Sequence, residues 1–147
     1  MKITPHVPLE QMICASPSRL IVMLYDEAIA ALREAIHAAR AGDIETRCNA
    51  VNAALEIVGY LYMTLDDARG GDVARNLGAI YAHIIARLPQ VNVAQDPAVA
   101  EEAIGLLKPL RAAWAELDQA LSNGLAEVIL PELAEVGASH QPGSAAS

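Results

Sequence analysis

Residues 43–65, DIETRCNAVNAALEIVGYLYMTL, decide the fold, because they read as a helix with more apolar surface than one core can absorb. At about 100° per residue, Ile44, Cys48, Val51, Leu55, Val58, Tyr62 and Leu65 fall in one stripe, the expected core face. Ala50, Ala53, Ile57, Tyr60 and Leu61 make a second apolar stripe beside it, and Glu45, Asn49, Asn52 and Glu56 leave only a thin polar edge. A helix in a small bundle needs an apolar arc of little more than about 100°. The surplus stripe is expected to be either deeply buried or a docking surface.

The punctuation on both sides defines the other helices. Upstream, Ser16 is placed to cap a helix with Pro17 at its first position, and Gly42 stops that helix just before Asp43 caps the next. Leu20, Leu24, Ala28, Ala31, Leu32 and Ala35 face inward, with Asp26, Arg33, His37 and Arg40 on the wet side. Downstream, DDARGGD breaks the helix and Asp72 is placed to cap a third, whose buried stripe is Val73, Leu77, Ile80, Tyr81, Ile84 and Leu88. Ala79, Ala82 and Ala86 give this helix a flat small-residue flank, and Pro89 ends or kinks it. After the loop VNVAQ, Asp96 and Pro97 repeat the cap-then-proline pattern. The fourth helix buries Val99, Ala103, Leu106, Leu107, Leu110, Trp114 and Leu117, bends at Pro109, and ends at Asn123 and Gly124.

Four long helices on short loops predict an all-α protein, an antiparallel up-and-down four-helix bundle over residues 16–123. Residues 1–15 form an N-terminal arm that is either disordered or laid in a groove by Val7, Leu9, Met12 and Ile13. Residues 124–136 are apolar enough for a short fifth helix, and residues 137–147 are small, polar and expected to be disordered.

Composition narrows the function classes. The chain is 54% hydrophobic but 3% aromatic, with no Phe, a mix that suits helices packed closely together. A net charge of -8 argues against a phosphate-binding surface, so nucleic acid is not an expected partner. Glu10 and two prolines interrupt the start where a signal peptide would be apolar, and no later run is long and apolar enough to span a membrane. The expected location is the cytoplasm, with Cys14 and Cys48 as reduced thiols.

Chemistry is hard to place on this chain. Glu34 and His37 make one ExxH, but a carboxylate-bridged di-iron bundle needs a second, and His83 has Ile80 where the glutamate would stand. Asp66, Asp67 and Asp72 lack the alternating oxygens of a calcium loop. Cys48 has no histidine placed to activate it, and RGGD lacks the lysine of a phosphate loop. No enzymatic activity and no cofactor are expected.

Three stretches carry a family resemblance: ASPSRLIVMLYDEAIAALREA at 15–35, LDDARGGDVARNLGAIYAHIIARL at 65–88 and LLKPLRAAW at 106–114. Together, and with Gly42-Asp43 and Asn92 in register, they resemble the flagellin export chaperones of the FliS family over roughly residues 10–118. The resemblance implies a cytoplasmic bundle that binds the disordered C-terminal segment of flagellin, prevents its premature polymerisation and keeps it fit for the flagellar type III export gate. It also implies that the N-terminal arm covers part of the binding surface, although the tyrosines usual in that arm are missing here. Partner binding is expected at Ala50, Ala53, Ile57, Tyr60, Leu61 and Thr64, with Ala79, Ala82 and Ala86 as a flank. The alternative is a self-associating structural bundle that pairs its surplus stripe with its own copy. A monomer or weak homodimer is expected.

Overall fold

The computed structural model describes residues 16–124. Among them are four long helices, α1 (Pro17–Ala41), α2 (Ile44–Met63), α3 (Asp67–Arg87) and α4 (Pro97–Ser122), with a single helical turn at Gln90–Val93 and no strand. The N-terminal arm with Val7, Leu9, Met12 and Ile13, the short helix expected within 124–136 beyond Gly124, and the tail at 137–147 lie outside the described residues.

The helix starts follow from their caps. The Ser16 hydroxyl accepts the Arg19 backbone N–H at 3.2 Å ahead of Pro17. Asp43 accepts the Thr46 hydroxyl at 2.7 Å and its backbone N–H at 3.2 Å, and these two bonds hold its carboxyl below the usual range. Asp96 accepts the Ala98 N–H at 3.0 Å. Gly42 closes α1 at φ 76°, a left-handed geometry that costs a side-chain-bearing residue energy.

Two local expectations change. The break at RGGD shrinks to one residue: α3 begins at Asp67 and runs through a kink at Gly71, whose φ 54°, ψ -134° only glycine adopts comfortably. Asp72, expected as the cap, instead makes an ion pair with Arg75 one turn on. The loop VNVAQ folds its first part into the turn Gln90–Val93, which buries Val91 completely. α4 continues unbroken through Pro109, as expected; the proline has no N–H for the Gly105 carbonyl, and both residues are exposed, so water can take that bond.

α1 is the packing centre. It lies along α2 on one side and α4 on the other, while α3 packs on α2 and more sparingly on α4. Cross-links set the directions: Ser18 with Asp118 at 2.9 Å, Asp26 with Arg111 at 2.8 Å, and Arg40 with Glu101 at 2.8 Å. Residue numbers rise on α1 as they fall on α4, so the two are antiparallel. α1 and α3 face each other across the core. There the Tyr25 and Tyr81 hydroxyls are hydrogen-bonded to each other, and Trp114 packs against the core.

The same buried arc corrects the reading of α2. Its buried residues are Arg47, Ala50, Val51, Ala54, Ile57, Val58 and Leu61, one edge from each of the two stripes. Ile44, expected in the core, is 61% exposed, and Tyr62 is 46% exposed. The reason is that α2 packs on α1 and α3 together, so its inward direction bisects the stripes instead of following either. Arg47 is kept in this interior by a 3.1 Å bond from Nε to the Asn92 side-chain oxygen.

Burial and the neighbouring Tyr81 push the Tyr25 phenol far above its ordinary value of 10.0, and burial pushes Tyr81 up as well. Tyr25→Phe leaves the Tyr81 hydroxyl buried without its partner and should cost about 1–3 kcal/mol in urea unfolding, while Tyr25→Phe with Tyr81→Phe recovers most of that loss. Above about pH 10 unfolded tyrosines release protons that the folded pair retains, so stability falls as pH rises, by about 1.4 kcal/mol per pH unit for each buried phenol. The double variant should show a shallower alkaline decline.

Candidate interaction surface

The end of the bundle where α2 stops and α1 starts carries two open troughs, the first apolar and the second of mixed polarity. The first is lined by Leu20 and Leu24 of α1 and by Leu55, Ile57, Gly59, Tyr60 and Met63 of α2, with Glu56 as its one charged edge; it holds about 680 Å³. The second, about 410 Å³, lies between the end of α2 and α3 and is lined by Tyr62, Leu65, Ala74, Arg75, Gly78, Ala79 and Ala82. Both volumes fall in the range of about 300–1,000 Å³ that holds a drug-sized group, but both are open along their length. Such a shape suits side chains of a passing segment.

Local sequence explains the hollows. Leu55, Gly59 and Met63 recur at four-residue spacing on α2, and the glycine leaves a dip between two large residues. A Cβ added at Gly59 would meet nothing within 4 Å. At Gly78 an added Cβ would touch Leu65 Cδ1 at 3.4 Å and Tyr62 Cε1 at 3.7 Å, so this glycine lets the end of α2 lie close across α3. Met63 is 83% exposed and Tyr60 53% exposed, large apolar side chains left open to solvent at the trough.

The expected contact residues divide. Tyr60 lines the first trough, and Ala79 and Ala82 line the second. Ala86 is exposed farther along α3, and Ala53 is half-buried against the core. Thr64 is exposed at the end of α2, where its hydroxyl donates to the Leu61 carbonyl at 3.0 Å. Ala50, Ile57 and Leu61 are core residues, Ile57 being 1% exposed and forming only trough floor. Sequence reasoning gave Leu20, Leu24, Leu55, Tyr62 and Leu65 to the core and passed over Gly59 and Met63. The row Leu55-Gly59-Met63 was the signal for these: a small residue between two large ones on a helix exterior.

The polar groups of this end do structural work. Asp118 accepts the Ser16 and Ser18 hydroxyls at 3.1 and 2.9 Å, binding the end of α4 to the start of α1. Glu34 and His37 are exposed on α1, and among the described residues no three His, Cys, Asp or Glu come together as metal ligands. No helix among them is long and apolar enough to cross a membrane.

The flagellar protein FliS family matches residues 9–121, all four helices and both troughs included. The chain belongs to the FliS family. It is 38% identical to the flagellar secretion chaperone FliS of Salmonella typhimurium (strain LT2) over 104 residues, 70% of this chain and 77% of that protein. It is 32% identical to the flagellar secretion chaperone FliSB of Pseudomonas aeruginosa over 78% of this chain and 91% of that one, and 30% identical to FliS of Bacillus subtilis (strain 168) over 71% and 77%. Ser16, Ser18, Asp43 and Asn92, which make the polar ties described above, all lie within the matched range.

Assigning Ile57 to the core and Tyr60 to the surface has a direct check. Ile57→Ala should lower unfolding free energy by about 2–5 kcal/mol, whereas Tyr60→Ser should change it by no more than about 0.5 kcal/mol. Parallel denaturant titrations of the two variants measure both.

Proposed function

We propose that this protein is a cytoplasmic flagellar secretion chaperone that binds the disordered C-terminal segment of flagellin, prevents premature polymerisation and supports delivery to the flagellar type III export gate. The observation that carries the reading is the open apolar trough between α1 and the last turns of α2, with a second, mixed trough on the other side of α2, in a chain whose curated relatives are named flagellar secretion chaperones. Contact falls to Leu20, Leu24, Gly59, Tyr60 and Met63 in one trough and to Tyr62, Gly78, Ala79 and Ala82 in the other. Ala53, Thr64 and Ala86 border this path. Ala50, Ile57 and Leu61 hold it up from beneath.

Energetics favour a wrapped interface. Burying one leucine or valine is worth about 1.5–3 kcal/mol, and ordering a disordered segment takes back at least about 2–5 kcal/mol. A single anchor in one shallow trough cannot bind. A segment that enters the first trough, crosses the exposed end of α2 at Tyr60 to Met63 and reaches the second gathers several anchors in one pass. The mechanism is coupled folding and binding, with no covalent step and no cofactor.

Gly59 gives a test that spares the core. Gly59→Ala and Gly59→Lys should both keep or slightly raise helix stability, because either residue is a better helix former than glycine. Calorimetry with a peptide of the host flagellin's C-terminal segment should show Gly59→Ala binding within about twofold of the parent, while Gly59→Lys, which puts an ammonium into the trough, weakens binding by about tenfold or more, equal to about 1.4 kcal/mol. Equal affinity for all three proteins would move the client elsewhere. A peptide that binds none of them would end the chaperone reading.

A further inference from the structure

Both ends of the described chain leave the bundle where the first trough lies. Asp118 is bonded to Ser16 and Ser18, so the last turns of α4 stand beside the first turn of α1. At about 1.5 Å per helical residue, Gly124 lies roughly 9 Å past Asp118, and Leu20 and Leu24 lie roughly 3 and 9 Å up α1 from Ser18. Crossing α1 adds one interhelical step of about 8–10 Å. Five or six extended residues at about 3.3–3.6 Å each cover that path.

The sequence beyond Gly124 suits the trough within its reach. It continues LAEVILPELAEV over 125–136. Leu130, Leu133 and Val136 recur at three-residue spacing on one side of a helix, with Pro131 well placed for the first turn. Glu135 falls on the opposite side and Glu132 on the border of the stripe, so the stripe itself sets no charge against Glu56, the charged edge of the trough. Six residues of helix span about 9 Å against about 12 Å from Leu55 to Met63. The family match stops at residue 121, so this segment is added to a trough that lies within the matched part.

We propose that the C-terminal segment Leu130–Val136 seats in the α1/α2 trough of the empty protein and competes there with the client. The competition rests on the chaperone reading; the seat does not. While the segment sits in the trough, an incoming chain finds only the fraction of molecules in which it has lifted, and apparent affinity falls by that fraction.

The test uses the full chain carrying Cys14→Ser, Cys48→Ala and Ala134→Cys, with a nitroxide on the new thiol. The Met63 methyl resonance should be broadened in the free protein and should sharpen when Leu130→Asp and Leu133→Asp are added. Broadening that survives those two changes, is absent from the start, or arises only between separately labelled copies overturns the seat. In calorimetry with the flagellin peptide, the Leu130→Asp, Leu133→Asp protein should bind about tenfold more tightly if the segment occupies nine-tenths of the empty molecules. Unchanged affinity beside a broadened Met63 overturns the competition. Broadening with no peptide binding in any form keeps the seat and defeats the chaperone reading instead.

Discussion

Two phenol hydroxyls meeting in the middle of the bundle set the constraint on which the rest depends. The core has no phenylalanine and is rich in alanine, so neighbouring helices approach closely, while the diagonal from α1 to α3 has to be bridged by the long side chains of Tyr25 and Tyr81. A buried hydroxyl is tolerable only with a partner. Each phenol supplies one to the other, and the Trp114 side chain of α4 packs against this core. Two helices are thereby held in register by a polar contact that a sliding helix would break. A purely aliphatic core of this composition could slip by one residue at much smaller cost.

The remaining polar ties are unevenly shared. Asp118 with Ser16 and Ser18, Arg111 with Asp26, and Glu101 with Arg40 run the length of the α1/α4 seam. Exposed ion pairs are each worth about 0–1 kcal/mol, but spread along one seam they fix its alignment. α2 has one such interior tie, Arg47 to Asn92, near its start. Its last turns bury Ile57, Val58 and Leu61 against the core, and the troughs open on either side of them. One edge of the molecule is latched and the other is left greasy, a division that lets a partner be added to the second without disturbing the first.

The four long helices, their order and the starts of α1, α2 and α4 were legible in the sequence because each is set by local chemistry: a capping side chain, a proline at the first turn, a glycine at a left-handed φ. The phase of α2 was not legible. Its two apolar stripes are nearly equal, and which arc turns inward depends on where α1 and α3 stand, which no local rule supplies. That one tertiary fact moved Ile57 and Leu61 into the core and Ile44 and Tyr62 out of it. Of the residues expected to bind, Tyr60, Ala79 and Ala82 line the two troughs, and five further lining residues, Leu20, Leu24, Leu55, Tyr62 and Leu65, had been read as core. A trough is made by what is missing, and Gly59 and Gly78 announce a hollow only once their neighbours are known.

The residues that make the chain resemble its family have a related lesson. Ser16, Ser18 and Asn92 are distinctive because their polar groups serve fixed partners in the frame. The troughs are lined by leucine, methionine, alanine, glycine and tyrosine, residues that many helices share and that carry little family signal by themselves. Apolar recognition depends on area and shape more than on directed bonds, so a surface for an extended, leucine-bearing segment can be built from common residues, provided the frame holds them at the right separation. In this protein the recognisable sequence and the recognising surface overlap on α1 and α3, where Leu20, Leu24, Gly78, Ala79 and Ala82 lie within the stretches that resemble the family, while the α2 side of the first trough, Leu55, Gly59, Tyr60 and Met63, lies outside them.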